Sequence, residues 1–253
     1  MSVLDLIMQA ASNVEFQPNG HRYFIRGQEV PSCSQIMRRK DPEGFKISQE
    51  YLDRGRLVHA CLAGEVKVQE LRRDWQGFAQ AGLRARDELK LVPIAQEFLI
   101  GSEEFEYAGR ADEFAAILPG SPLREQGFIG ENVKFILNDW KSSSTGRPPT
   151  STQIQTVLYL LPLVRLGLDP RTVARAATGL SPTGEYKIKN YIWGPEFWRP
   201  NFAMALNLLE YHHYATNTRA WPGRFHTKWD GLRHQLMFPS PSTQEQRIDT
   251  AVS

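Results

Sequence analysis

Phe135-Ile136-Leu137-Asn138-Asp139-Trp140-Lys141-Ser142 is the stretch on which the reading of this chain turns. Its apolar start and short length read as a buried strand. Residues two apart in a strand share a face, so Asp139 and Lys141 point one way and Trp140 points into the opposite layer. Phosphodiester hydrolysis needs a carboxylate to hold a divalent ion, a positioned water and a cation near the phosphate. An acid and a lysine on one strand face supply two of these. The triplet alone decides nothing. Glu65/Lys67, Glu88/Lys90 and Glu185/Lys187 repeat the spacing, and there the ordinary reading is a surface ion pair.

The neighbourhood sharpens it. Upstream lies Gly109-Arg110-Ala111-Asp112, where the glycine permits a bend and Asp112 leads into the apolar run of residues 114–118. That strand is expected to pair with the Asp139 strand. Two carboxylates converging from neighbouring strands make a hard oxygen site suited to magnesium or manganese. Downstream, Gln155 and Tyr159 are four apart and share a helix face that can look over the same cleft, or else form a helix-surface pair.

Gly-x-x-Asp, then Asp-x-Lys, then Gln-x-x-x-Tyr, in this order, resembles the RecB-like branch of the PD-(D/E)XK nucleases. Arg54-Gly55-Arg56-Leu57-Val58-His59 resembles the branch's arginine- and histidine-bearing helix. His21-Arg22-Tyr23-Phe24 and Val30-Pro31-Ser32-Cys33-Ser34-Gln35-Ile36 are similar to the opening of small phage-type exonucleases. The likeness spans residues 15 to 165. It implies a restriction-endonuclease-like core and a metal-dependent DNA exonuclease of recombination, replication or repair. Magnesium is the implied cofactor, with manganese also supporting activity. It also implies that His59, Asp112 and Asp139 hold the metal, helped by the carbonyl of Trp140. Lys141 would position the water and steady the phosphate, while Gln155 and Tyr159 would orient substrate or lysine. Duplex ends or single strands of DNA are the implied partners, with a recombination protein as a further one. Glu97 would be an acid supporting the ligands, or, as a lone strand residue, a structural one.

Ser142 and Ala111 depart mildly from the family pattern. The gap between Asp112 and Asp139 is long, which makes 119–134 an insertion. Cysteines for an iron–sulfur cluster and a nucleotide-binding Gly-Lys-Ser/Thr loop are absent from the sequence, so no helicase motor is expected. The alternatives are a structure-specific or non-specific endonuclease and a non-catalytic nuclease-fold protein that binds DNA.

The rest of the chain suits an α/β fold with a central mixed sheet flanked by helices. Residues 15–30 read as a hairpin, followed by a helix capped by Ser32 or Ser34. Helices are expected over 45–64 and 68–90, and strands over 94–100, 105–118 and 135–142. A helix over 152–166, kinked or frayed at Pro162, comes next. Strands over 173–179 and 186–193 precede a closing helix over 195–217. One nuclease domain is expected over 1–239: hairpin and helices 15–90, catalytic core 91–194, closing helix and cap 195–239. Residues 240–253 read as a disordered tail.

Composition sets outer bounds. The 253 residues are 41% hydrophobic and 23% charged with a formal charge of +2, so DNA must be held by a local patch. The two cysteines, the lack of a basic amino-terminal start and the short apolar runs point to the cytoplasm of a bacterial or infected-host cell, away from membranes. Arg54, Arg56, Arg72, Arg73, Arg84 and Arg86 are expected as a phosphate-tracking set on helices over the site. Residues 38–40 read as a solvated basic run or as a phosphate contact. His226, Lys228, Arg233 and His234, among Phe225 and Trp229, read either as a DNA-contacting patch or as a capping tail. The adjacent His212 and His213 point to different helix faces and read as packing and surface residues.

Overall fold

The computed structural model describes residues 1–37, 48–149 and 151–216. Residues 38–40, the basic and aromatic segment of 225–234 and the tail of 240–253 therefore lie outside the described residues. Helix α1 (Val3–Ala11) opens the chain. Its cap is reciprocal: the Asp5 N–H donates to the Ser2 hydroxyl at 3.2 Å, and the Ser2 N–H donates to the Asp5 carboxylate at 2.8 Å. The expected hairpin is a three-stranded antiparallel meander of β1 (Val14–Gln17), β2 (Arg22–Ile25) and β3 (Gln28–Val30). Arg26 (φ 50°) and Gly27 (φ 77°) make the second turn tight enough for a third strand. Helices α2 (Cys33–Met37), α3 (Gln49–Leu62) and α4 (Arg73–Glu88) follow.

The main sheet contains β4 (Leu91–Ser102), β5 (Tyr107–Ile117), β6 (Phe135–Ser142), β7 (Val173–Leu180), β8 (Tyr186–Lys187) and β9 (Ile192–Trp193). A short α5 (Pro122–Glu125) sits in the insertion between β5 and β6, α6 (Thr152–Arg165) joins β6 to β7, and α7 (Trp198–Thr216) follows β9. The strand order is β4-β5-β6-β7-β8, with β9 also pairing β7. β6 and β7 run parallel and the other neighbours antiparallel, so this is an α/β architecture with a mixed sheet. The single strand expected over 186–193 is two short ones.

The alternation of β6 sorts the layers. Leu137 packs with α1, α2, α6 and α7, whereas Ile136 and Trp140 pack with α3 and α4. Helix α6 continues through Pro162. Proline has no N–H to give the Leu158 carbonyl, and the buried Tyr107 hydroxyl donates to that oxygen instead at 2.7 Å. No helix among the described residues is long and apolar enough to cross a membrane.

Candidate metal centre

The site lies where two strands part. The ladder between β5 and β6 ends at Glu113 opposite Asn138. One step further, the same register would set Asp112 opposite Asp139. There the strands separate, although β5 stays paired with β4 and β6 with β7. Asp112 closes the mouth of this fork: the Trp140 N–H donates to its Oδ2 at 2.7 Å.

Helix α3 docks over the fork. His59 Nε2 faces the Trp140 carbonyl oxygen at 3.0 Å. Its Nδ1 faces Glu97 Oε1 at 3.0 Å and Asp112 Oδ1 at 3.6 Å. Burial pulls the His59 pKa down, but the Asp112 and Glu97 carboxylates outweigh it and hold the ring up at about 9. A doubly protonated ring then donates in both directions. Burial raises the Asp112 pKa, and the charges of Asp139 and Glu97 add to the rise.

Asp139 is 1% exposed. Lys141 Nζ lies 2.5 Å from its Oδ2, as their shared strand face predicts. Burial pulls the lysine down, but Asp139 and Asp112 outweigh that and raise it, keeping the ammonium charged. Oδ2 has the Lys141 ammonium, but Oδ1 is buried with no hydrogen-bond partner among the described residues. A buried carboxylate oxygen left without a partner is costly, and a divalent cation would satisfy it.

Gln155 and Tyr159 do meet, with the Gln155 amide donating to the Tyr159 hydroxyl at 2.7 Å. Burial drives the Tyr159 pKa up, and the nearby Asp139 and Asp112 carboxylates push it further. Gly109 makes room for this ring rather than bending the strand. A Cβ there would stand 2.9 Å from Tyr159 Cε1 and 2.8 Å from Cys33 Sγ.

No family model matches the chain, and no curated protein matches it.

Three candidate ligands, His59, Glu97 and Asp112, offer atoms within 4.8 Å of one another. Asp139 stands outside this group. Glu97, which reads in the sequence as a supporting or structural acid, stands inside it. It sits between the paired residues Gln96 and Phe98 on β4, with a left-handed backbone (φ 46°). Gln96 reaches the Leu62 carbonyl at 2.8 Å and Glu97 reaches His59, so two successive residues address α3. That reversal defeats any reading based on strict alternation.

The donor set of carboxylates, one main-chain carbonyl and one imidazole, with a poorly satisfied carboxylate beside it, fits a hard divalent ion. The expected arginine set is largely committed elsewhere. Arg54 donates to the Ser142 carbonyl at 3.1 Å and lies over the rings of Tyr51 and Phe78. Arg86 pairs with the fully buried Glu113 and donates to the Leu62 carbonyl at 2.5 Å. Arg56 pairs with Asp53, Arg72 with Glu50 and Asp74, and Arg84 with Glu88 and Glu185. Arg73 is exposed. His213 is buried and faces the Phe105 carbonyl, in keeping with a packing role.

Proposed function

We propose that this chain is a metal-dependent deoxyribonuclease with a restriction-endonuclease-like core, hydrolysing DNA phosphodiester bonds from an end. The reading is carried by one observation: Asp112 and Asp139 flank the β5/β6 fork, with Lys141 ion-paired to Asp139 on the same strand face. Asp112, Asp139, Glu97, the Trp140 carbonyl and His59 would hold magnesium, or manganese in its place. When bound, the ion supplies a Lewis acid for the phosphate oxygens and a water more easily deprotonated.

The protein's own groups do the rest. Lys141 holds a positive charge beside the site of attack, where negative charge grows on the phosphate. Tyr159, kept neutral by burial, presents a hydroxyl already oriented by Gln155. Arg54 fixes α3 to the end of β6 through Ser142, and His59 then keeps a constant relation to Trp140. Preference for an end rests on the resemblance in motif order, since most of the expected arginines have intramolecular partners. The test is degradation of end-labelled DNA by the full chain with magnesium, and again with excess chelator. Chelator-sensitive cleavage supports the reading. DNA bound but never cut would favour the non-catalytic alternative.

A further inference from the structure

Beside the proposed centre stands a partly exposed arginine. Arg110, on β5, joins its Nε to Glu97 Oε2 at 3.0 Å, and the other Glu97 oxygen faces His59. Among the described residues its ion-pair partner is Glu97, and the side chain is 38% exposed. The guanidinium carbon lies 5.4 Å from the ring centre of Phe16 on the amino-terminal meander. Phe16 belongs to a small aromatic group. His21 meets it nearly at right angles at 5.2 Å and meets Tyr23 likewise at 5.4 Å, while Phe16 and Tyr23 stand 4.9 Å apart. Tyr23 is buried, Phe16 half-buried and His21 exposed, at a left-handed turn position (φ 51°) next to Gly20.

A guanidinium paired with a carboxylate and backed by a ring loses little freedom on binding, and its planar fork of donors suits phosphate. Aromatic side chains next to a cation are the usual means of holding single-stranded bases without reading sequence. We propose that Arg110, Phe16 and His21 form a nucleotide subsite beside the centre. Arg110 takes a phosphate of the substrate strand next to the one being cut, and the meander's exposed aromatic edge receives the attached base. The inference rests on the nuclease reading above. It gives the three-stranded meander a role: carrying one wall of the strand path to within a residue of Glu97. It also makes the subsite selective for an unpaired nucleotide, because a stacked duplex base offers no free face.

The test is fluorescence anisotropy of a labelled single-stranded oligonucleotide, titrated with the full chain in the Asp139→Asn background over a range of salt. Arg110→Gln should weaken binding and lower the salt slope by about 0.7, the share of one phosphate contact on a single strand. His21→Asn, which tolerates the left-handed backbone, and Phe16→Leu, which keeps an apolar side chain in the cluster, should each weaken binding by roughly five- to tenfold. Neither touches Glu97, so they separate the subsite from any effect through the metal ligands. Unchanged affinity and slope in all three, with a wild-type chain that cuts DNA, overturns the subsite and leaves the nuclease standing. A wild-type chain that neither binds nor cuts overturns both.

Discussion

The Asp112 carboxylate accepts the Trp140 N–H at 2.7 Å, one residue beyond the last paired position of β5 and β6. A side chain thus replaces the missing rung of the ladder and holds the fork at a fixed width. Asp112→Asn keeps an acceptor for that N–H but removes the charge. The variant should fold, bind manganese much more weakly by calorimetry and fail to cut DNA. Undiminished manganese binding would remove Asp112 from the ligand set.

Lys141 pairs with Asp139 but has no lone pair to offer a metal while charged. Lys141→Ala should cost on the order of a hundredfold in rate, by comparison with loss of other preorganised charge donors. Manganese affinity should survive. A near-normal single-turnover rate would rule out the role given to the ammonium.

The pH behaviour of His59 has a definite sign. Its pKa is raised from 6.5 to about 9, so the stability it contributes is fully present below about 6.5 and is lost as pH rises through about 9. Chelator-treated wild type should therefore lose its advantage in Tm over His59→Gln across that window. If His59 is a ligand, manganese binding below pH 9 must also expel its proton, so affinity should climb with pH. A Tm difference that does not vary with pH would contradict the assignment.

Much of this site is legible in the sequence because it depends on local periodicity. Asp139 and Lys141 share a face by strand geometry alone, and Gln155 and Tyr159 meet by helical spacing. Glu97 is not legible, because its place depends on one left-handed residue that reverses the alternation of β4. Arg54 and Arg86 mislead for a different reason. Arg54 finds its partner 88 residues away and Arg86 finds Glu113 27 residues away, and no local pattern announces either. The parallel pairing of β6 and β7 follows from the helix between them, whereas the third strand of the meander depends on a turn whose tightness the composition does not fix.

Arg86 makes a prediction about the fold. It neutralises a carboxylate with no exposure to solvent and lies 5.4 Å from the ring centre of Trp140. Arg86→Ala leaves Glu113 buried without its counter-charge, and should cost about 3–5 kcal/mol in urea unfolding. Arg86→Ala with Glu113→Gln should recover part of the loss. An Arg86→Ala chain as stable as wild type would return this arginine to the phosphate-contacting role.

The most direct measurement compares linear and covalently closed circular duplex DNA, each incubated with magnesium and either the wild-type chain or Asp139→Asn. The account predicts progressive loss of the linear DNA, persistence of the closed circle, and no loss of either with Asp139→Asn. Equal loss of both forms would point to an endonuclease. Cleavage undiminished in Asp139→Asn would contradict the account at its centre.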